Sequence, residues 1–408
     1  MERTSADRHG SKSGDPLQKA AIPQIQAGLM RSSVRLILLL IFGLSLYCCR
    51  LIEEPLSVAD KPRTAISLEE LDRLIENLSE PEGYFDTDNF ISNEAGYLKV
   101  LPLLREHGIR GGVYIGVGPD QNYSYIAEIQ PQLAILVDIR RQNLLQHLYF
   151  KALFQLSPDR ARFLERLFGR RIPHDIAGTE GLSISQLMDR IDRAPQDSRF
   201  REHVAEEAIR VVNEWKLSLV KEDLESMRYV ARAFMEAGPD LRFSSFYMQP
   251  REYYPDYRTL LLETDSAGKQ ANYLASEERF RYVKLFHKEN RIIPVVGDLA
   301  GKFALPQIAR ILKERHLEVR CIYLSNVEFY LFRQGNWKPY VRNMRQLPWS
   351  DDAVLIRTYA NSWRHHPAQI PGYYMTTLLQ MTSRFFQNES EGENQTYWDL
   401  VTRDYIAP

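Results

Sequence analysis

Cysteine is scarce in this chain of 408 residues, which contains only three. So few cysteines exclude a disulfide framework, and we interpret Cys321, inside an apolar run, as an inert core residue. None of the nine histidines belongs to a ligand pattern, so we expect no metal site. The chain also lacks a large net charge, since it contains 52 basic and 53 acidic residues. We therefore expect no nucleic-acid partner.

The beginning of the chain carries little that predicts a fold. Residues 1–29 are polar and lack periodicity, so we expect them to be disordered or to precede the true start, for which Met30 is the candidate. Residues 50–65 have the composition of a linker. The sequence therefore predicts that the folded domain spans residues 66–408.

Between these segments, residues 30–49 look like a targeting signal. A basic start leads into an apolar run, Leu36 to Tyr47, which is short for a membrane span. The run ends at Cys48 and Cys49, as bacterial lipoprotein signals end in cysteine. Two interpretations remain open. The segment is a signal peptide with lipidation at one of these cysteines, or it is an uncleaved membrane anchor.

The centre of the sequence carries a strand, a glycine turn, a helix and a second strand. The apolar run from Val113 to Val117 contains Gly116 and is followed by Gly118. The run from Leu133 to Val137 ends in Asp138, about 20 residues after the glycines. This spacing is typical of a nucleoside-binding unit, in which glycines admit the ligand and the acid accepts hydrogen bonds from ribose. The alternative is that the glycines serve only the turn.

The residues after the turn narrow the choice of ligand. Gln121 stands where a dinucleotide fingerprint needs glycine or alanine, and no lysine with serine or threonine follows as in a Walker loop. The remaining pattern resembles the first motif of class I S-adenosylmethionine-dependent methyltransferases. Tyr114 replaces the usual acid of that motif, and Asp120 replaces its third glycine. The resemblance implies S-adenosylmethionine as the cofactor.

Three further short apolar runs predict the rest of a sheet, at residues 292–297, 319–325 and 353–358. Pro294 cannot donate to a central ladder, so the third strand is expected at an edge. The methyltransferase strand order 3-2-1-4-5 places it there. We therefore predict an α/β fold, a Rossmann-like doubly wound sheet with a large helical insertion at about residues 140–290 between strands two and three. A helix is expected over residues 373–386, without a closing antiparallel hairpin.

The resemblance also implies which residues form the site. The cofactor would meet residues at the ends of the first four strands: Gly116, Gly118, Asp138, Asp298 and Asn326. The substrate would meet Tyr323, Ser325 and Glu328 on or just after the fourth strand. Ligands of open α/β sheets bind outside the carboxyl ends of the strands, so these side chains should converge on one cleft. No catalytic acid or base is assigned.

Three assignments have two open interpretations. Asn326 contacts the ligand or caps the next helix. Asn93 and Glu94 cover the cofactor cleft or cap the helix expected from about residue 93 to 107. The tyrosine- and arginine-rich stretch at residues 243–257 binds a planar ligand, or it is a loop pinned to the surface.

Three sequence strings, GVGPDQNYS from Gly116, VVGDLAG from Val295 and YLSNVE from Tyr323, resemble a bacterial family without an established activity. Members with lipoprotein signals resemble spirochaete envelope proteins, and the similarity covers about residues 85–360. The sequence thus favours a methyltransferase-like protein of the bacterial cell envelope with a small-molecule ligand, tethered to the membrane by an N-terminal lipid or helix. The alternatives are a non-catalytic ligand-binding lipoprotein and a structural or adhesive protein.

Overall fold

The computed structural model describes residues 65–87, 89–172, 181–244 and 251–408. These residues belong to a unit that spans Arg63–Pro408. The predictions for residues 1–29, 30–49 and 50–64, including lipidation at Cys48 or Cys49, therefore lie outside the described residues. Within the described part of the chain, no helix is long and apolar enough to cross a membrane.

Six strands form one sheet in the order β3-β2-β1-β4-β5-β6. They are β1 (Val113–Val117), β2 (Leu133–Asp138), β3 (Ile292–Val296), β4 (Val319–Tyr323), β5 (Trp349–Ala360) and β6 (Met375–Met381). The first five are parallel, and β6 pairs antiparallel with β5. The order predicted for the first five strands is observed, and Pro294 lies on edge strand β3 as its missing N–H requires.

Helices cover the sheet. Before the insertion they are α1 (Leu68–Leu78), α2 (Leu101–Glu106) and α3 (Gln121–Ile129), with a 3₁₀ turn at Tyr97–Val100. Between β2 and β3 they are α4 (Arg141–Leu156), α5 (Arg160–Phe168), α6 (Ile184–Arg193), α7 (Ser198–Glu214), α8 (Lys221–Ala237), α9 (Tyr257–Leu262) and α10 (Glu277–Lys288). After β3 they are α11 (Ala304–Glu314), α12 (Val327–Arg333), α13 (Trp337–Met344), α14 (Thr382–Glu391) and α15 (Tyr397–Thr402).

The segment between β2 and β3 is helical, as predicted. Among its described residues the only β pairings are isolated bridges, such as the one between Arg170 and Gln196. Helix α4 is buried along most of its length because it packs on the sheet with one side and on α7 and α8 with another. Its apolar face is therefore wider than the single stripe of a surface helix.

The helix predicted over residues 373–386 is wrong. The structure has strand β6 there, and helix α14 begins only at Thr382. Both faces of β6 are buried, so its apolar residues do not alternate with polar ones, and periodicity cannot separate such a strand from a buried helix. Ile406 adds an isolated antiparallel bridge to Leu379. The chain therefore closes with antiparallel pairing that the sequence interpretation missed.

Helix α1 connects the two ends of edge strand β3. Its N-cap Ser67 accepts a hydrogen bond from the Glu70 N–H at 3.1 Å. The preceding Ile66 N–H donates to Glu289 O at 2.9 Å, and Asn290 Nδ2 donates to Ile66 O at 2.7 Å. Both partners lie just before β3 begins. The segment that precedes helix α1 thus lies at the amino ends of the parallel strands.

Candidate functional site

A cleft opens at the carboxyl ends of β1 to β4, and it encloses about 1010 Å³ of free space including its opening to solvent. The lining includes five residues predicted for the site: Gly118, Asp138, Asp298, Ser325 and Asn326. The other three predicted residues, Gly116, Tyr323 and Glu328, are not among the residues that line it.

Gly118 begins the loop between β1 and α3 and lines the cleft. Its φ of +78° is a left-handed conformation that glycine adopts without strain. Gly116 has a different role, because a Cβ there would lie 1.9 Å from Asn122 Oδ1. Gly116 therefore makes room for a side chain of the protein and not for a ligand.

Asn122 holds the glycine loop in place. Its amide nitrogen donates to the carbonyl oxygens of Val117, Gly118 and Pro119 at 2.9, 3.1 and 2.7 Å. Its oxygen accepts a hydrogen bond from Tyr114 OH at 2.7 Å. Tyr114, which stands in place of the acid of the methyltransferase motif, thus stabilises the loop indirectly, through its hydrogen bond to Asn122.

Asp120 points away from the cleft, into the helical insertion. Its Oδ2 accepts hydrogen bonds from Tyr257 OH at 2.6 Å and Tyr273 OH at 3.0 Å. Burial raises the pKa of this carboxyl to about 6. The loop is therefore tied to the insertion through a buried acid and two tyrosines.

The tyrosine-rich stretch divides into two environments. Tyr257 is buried against Asp120, whereas the ring of Tyr253 is 39 % exposed and stacks on Tyr374 at 3.8 Å. Phe243, at the start of the stretch, lines the cleft. Residues 245–250, including Tyr247, lie outside the described residues. The described part is thus partly a pinned loop and partly a wall of the cleft.

Asp138 ends β2 with its carboxylate at the cleft and a cation beside it. Its Oδ1 accepts hydrogen bonds from the Arg140 N–H at 2.9 Å and from Arg140 Nε at 3.2 Å. Arg140 Nη1 also donates to Thr87 O at 2.9 Å. The pair of Asp138 and Arg140 therefore holds Thr87 against the end of β2. The second carboxylate oxygen of Asp138, Oδ2, has only a long contact with Arg140 Nη2, at 3.4 Å.

Asp298 occupies the corresponding place after β3. Its backbone N–H donates to Glu80 Oε1 at 2.6 Å, and its Oδ1 accepts from the Ala300 N–H at 2.8 Å. The side chain is half-buried and lines the cleft. Asp138 and Asp298 thus bring two carboxylates to one cleft from neighbouring strands.

Glu94 lies behind the end of β4 as a fully buried carboxylate. It accepts hydrogen bonds from Tyr323 OH at 2.6 Å, from Thr358 Oγ1 at 2.7 Å and from the Ser325 hydroxyl. Burial raises the pKa of Glu94. Ser325, which lines the cleft, has a φ of +53°. A non-glycine residue rarely adopts this conformation, and here the hydrogen bond to Glu94 helps to hold it.

The capping alternatives are not observed. Asn326 stands at the N-cap position of α12, but its side chain makes no capping hydrogen bond. Asn93 lines the cleft, and the N-cap of the following 3₁₀ turn is Gly96. Glu328 faces away from the cleft, where it bonds to Arg357 and Tyr340. Among the residues that the structure describes, no group of histidine, cysteine, aspartate and glutamate side chains is placed to hold a metal ion.

Aromatic side chains form a wall that the sequence interpretation missed. Tyr84, Phe85, Phe243 and Tyr330 all line the cleft, and the rings of Phe85 and Tyr330 meet edge to face at 5.3 Å. They come from distant parts of the sequence, so no local pattern groups them. Such a wall suits a planar ligand group.

A family model described as "Domain of unknown function (DUF7790)" matches residues 89–172 and 191–402, which is more than half of the chain. The chain belongs to this family. Among curated proteins, none matches the chain. The DUF7790 match contains all six strands, and among the described residues it contains every one that lines the cleft except Tyr84 and Phe85. The cleft is thus formed almost entirely by the part of the chain that this DUF7790 member shares with the family model.

Proposed function

We propose that this DUF7790 protein binds S-adenosylmethionine in the cleft and is a methyltransferase-like protein of the bacterial cell envelope. The observation that carries the proposal is that Asp138 and Asp298 reach one cleft from adjacent strands, beside Gly118. The strand order and the covering helices support a Rossmann-like doubly wound fold with a helical insertion. In such folds the ligand lies outside the carboxyl ends of the strands.

The roles of the three residues follow from their chemistry. Asp138 would accept hydrogen bonds from the ribose hydroxyls through Oδ2, since Arg140 already occupies Oδ1. Asp298 would accept from the amino group of the base. Gly118, with no side chain, would let the backbone approach the amino-acid end of the cofactor.

Methyl transfer needs chiefly the alignment of the acceptor, the methyl carbon and the sulfur, so no strong general base is required by default. Ser325 and Asn326 lie after β4 and line the same cleft, which makes them the residues we assign to the acceptor side. The acceptor itself is unassigned. The proposed envelope location rests on the sequence of residues 30–49, which we interpret as a signal for a lipid anchor or as a membrane-anchoring helix.

A non-catalytic ligand-binding lipoprotein is the second candidate, and two observations favour it. Arg140 already pairs with the acid assigned to ribose, and Tyr114 replaces the acid of the methyltransferase motif. In both places a contact within the protein, Arg140 with Asp138 and Tyr114 with Asn122, occupies a position that would otherwise contact a cofactor.

Calorimetric titration of the full chain with S-adenosylmethionine and S-adenosylhomocysteine tests the binding. Asp138→Asn should weaken binding about ten- to a hundredfold, because an acceptor for two ribose hydroxyls loses its charge. Asp223→Asn is the matched control, since Asp223 is also buried and paired with an arginine, Arg141, but does not line the cleft. Equal affinity in the wild type and Asp138→Asn, or no binding by the wild type, would refute the proposal.

Catalysis is separated from mere binding by a transfer assay. The full chain is incubated with methyl-labelled S-adenosylmethionine and a bacterial envelope extract. A methyltransferase transfers label to a component of the extract, and Asp138→Asn reduces the transfer. Tight binding without transfer would favour the ligand-binding lipoprotein.

A further inference from the structure

The buried carboxylate of Glu94 is connected to the cleft through one hydroxyl group. Its Oε2 accepts hydrogen bonds from Tyr323 OH at 2.6 Å and from Thr358 Oγ1 at 2.7 Å. Its Oε1 pairs with the hydroxyl of Ser325. Glu94 itself is 0 % exposed, and of its three partners only Ser325 lines the cleft. Ser325 therefore provides a route for a proton between the cleft and Glu94.

The partners of the two oxygens of Glu94 differ in their freedom to turn. The other neighbour of Tyr323 OH is the Gln121 amide nitrogen, a donor at 3.5 Å, so the Tyr323 proton points to Glu94. Ser325 Oγ has a second acceptor, Asn326 Oδ1, at 3.4 Å. The Ser325 hydroxyl can thus donate to the Glu94 carboxylate, or turn to Asn326 and accept a hydrogen bond from protonated Glu94. The contact between Ser325 and Glu94 consequently has a donor and an acceptor in both protonation states.

Burial raises the pKa of Glu94 and makes it a better proton acceptor than an exposed carboxylate. The other titratable groups that face it are phenols whose pKa burial also raises, so they are uncharged near neutral pH: Tyr125 of α3, Tyr323 of β4 and Tyr397 of α15. Tyr397 also interacts with Glu328 and Arg357, which are paired with each other. The charged residues that line the cleft are Asp138, Arg140 and Asp298.

We propose that Ser325 and Glu94 relay a proton away from the methyl acceptor, so that the cleft methylates an oxygen or a nitrogen that must lose a proton to react. This inference rests on the proposed function and deepens it, because it names the class of acceptor. A carboxylate acceptor has no such proton, and the negative charges of Glu94 and Asp298 would repel it. A hydroxyl or an ammonium group can instead donate to Ser325.

The relay conserves protons and electrons. Ser325 Oγ takes the proton of the acceptor while its own proton passes to Glu94 Oε1. The acceptor atom forms a bond to the methyl carbon, the bond between that carbon and sulfur breaks, and its electron pair neutralises the positive sulfur. Glu94 returns the proton to water through Ser325 after the product leaves.

The transfer assay with the full chain tests the class of acceptor and the two residues. Base hydrolysis releases the label of a methyl ester as methanol, whereas methyl groups on a hydroxyl oxygen or a nitrogen stay in place. The wild type should give base-stable label. Glu94→Gln and Ser325→Gly should each lower the transfer rate about a hundredfold and keep the affinity for S-adenosylhomocysteine. Glycine adopts a positive φ without strain, so Ser325→Gly removes the hydroxyl without straining the backbone.

Thr358→Val is the matched control. It removes a hydrogen bond to the other oxygen of Glu94, and Thr358 is fully buried and does not line the cleft. Because that hydrogen bond lowers the pKa of Glu94, its loss should raise the pH below which transfer falls and leave the maximum rate unchanged. Infrared titration of the ligand-free chain, with Glu94→Gln as the reference, measures the midpoint of the Glu94 carboxyl directly. The two midpoints should coincide in the wild type and shift together in Thr358→Val.

Several results would overturn the inference and leave the proposed cofactor site standing. They are label that base releases as methanol, a wild-type rate in Ser325→Gly or Glu94→Gln, and midpoints that differ. An equal loss of rate in Thr358→Val and Ser325→Gly would also overturn it, because Glu94 would then be a structural acid. If the wild type binds S-adenosylhomocysteine but transfers no label, the relay and methyl transfer are wrong and the binding stands. If it binds nothing, the proposed function falls as well.

Discussion

The guanidinium of Arg357 donates to the carboxylate of Glu328 inside the protein, with Nη2 3.2 Å from Oε1, and both side chains are almost completely buried. Tyr340 OH adds a hydrogen bond to the same oxygen at 2.9 Å. The acid expected to meet the substrate is thus part of the link between α12 and β5. Breaking a buried pair by removing one partner leaves an uncompensated charge.

Glu328→Ala should therefore lower the free energy of unfolding by about 3–5 kcal/mol, measured by urea denaturation. Glu314→Ala is the control, because its exposed pair with Arg310 should contribute about 0–1 kcal/mol. If Glu328→Ala is as mild as the control and weakens ligand binding instead, Glu328 is a substrate contact after all.

Asp120 predicts a fall in stability with rising pH. Its carboxyl has a pKa of about 6 in the folded protein against 3.8 ordinarily, so between these values the folded state holds a proton that the unfolded state has lost. The stabilisation is complete below about pH 4 and is lost as the pH rises through 6, a change of about 3 kcal/mol.

Urea denaturation at pH 4, 5, 6 and 7 checks this, with Asp120→Asn as the comparison. The wild type should lose stability relative to Asp120→Asn across that range. Against Asp352→Asn the wild type should show no such loss, because Arg320 holds the pKa of Asp352 below its usual value and the wild-type carboxylate stays ionised across that range. Parallel pH profiles for the wild type and Asp120→Asn would contradict the prediction.

Gly116→Ala should destabilise the fold by about 1–3 kcal/mol, because its Cβ would collide with Asn122 and disturb the glycine loop. Denaturation of the single variants and of Gly116→Ala combined with Asn122→Ser measures the coupling. The double variant should lose less than the sum of the single ones. Normal stability with reduced ligand affinity in Gly116→Ala would instead make Gly116 a ligand contact.

Tyr330→Leu should weaken nucleoside binding by about 1–3 kcal/mol, the range found when an aromatic ring that stacks on a base is removed. Phe332→Leu on the same helix is the control, since Phe332 stacks on Trp337 at 4.0 Å and does not line the cleft. Titration with adenosine measures both. Equal effects would show that the helix, and not the ring at the cleft, determines the result.

The sheet could be predicted because its signals are local. Pro294 marks an edge through its own missing N–H, and glycine or aspartate at the ends of the apolar runs identifies the carboxyl ends of the strands, where the cleft lies. Gly118, Asp138 and Asp298 consequently line the cleft as expected. The strand β6 was mistaken for a helix because burial on both faces removes the alternation that distinguishes a strand.

The position of some predicted site residues outside the cleft has a different cause. Tyr323 and Ser325 are two positions apart, but β4 ends between them and the left-handed Ser325 alters the direction of the chain. Side-chain directions after such a residue do not follow the alternation of a strand. The environments of Glu94 and Gln121 are determined by contacts with residues that are distant in the sequence. A single sequence shows their identities and not those contacts.

The hydrogen bonds between Ile66 and the turn before β3 attach the beginning of the domain to the amino ends of the strands. The cleft lies at the opposite ends of these strands. A biosensor surface or a fusion partner joined ahead of residue 66 would therefore leave the cleft facing bulk solution. Immobilisation through that end would leave the cleft accessible to molecules that are too large to enter a closed pocket.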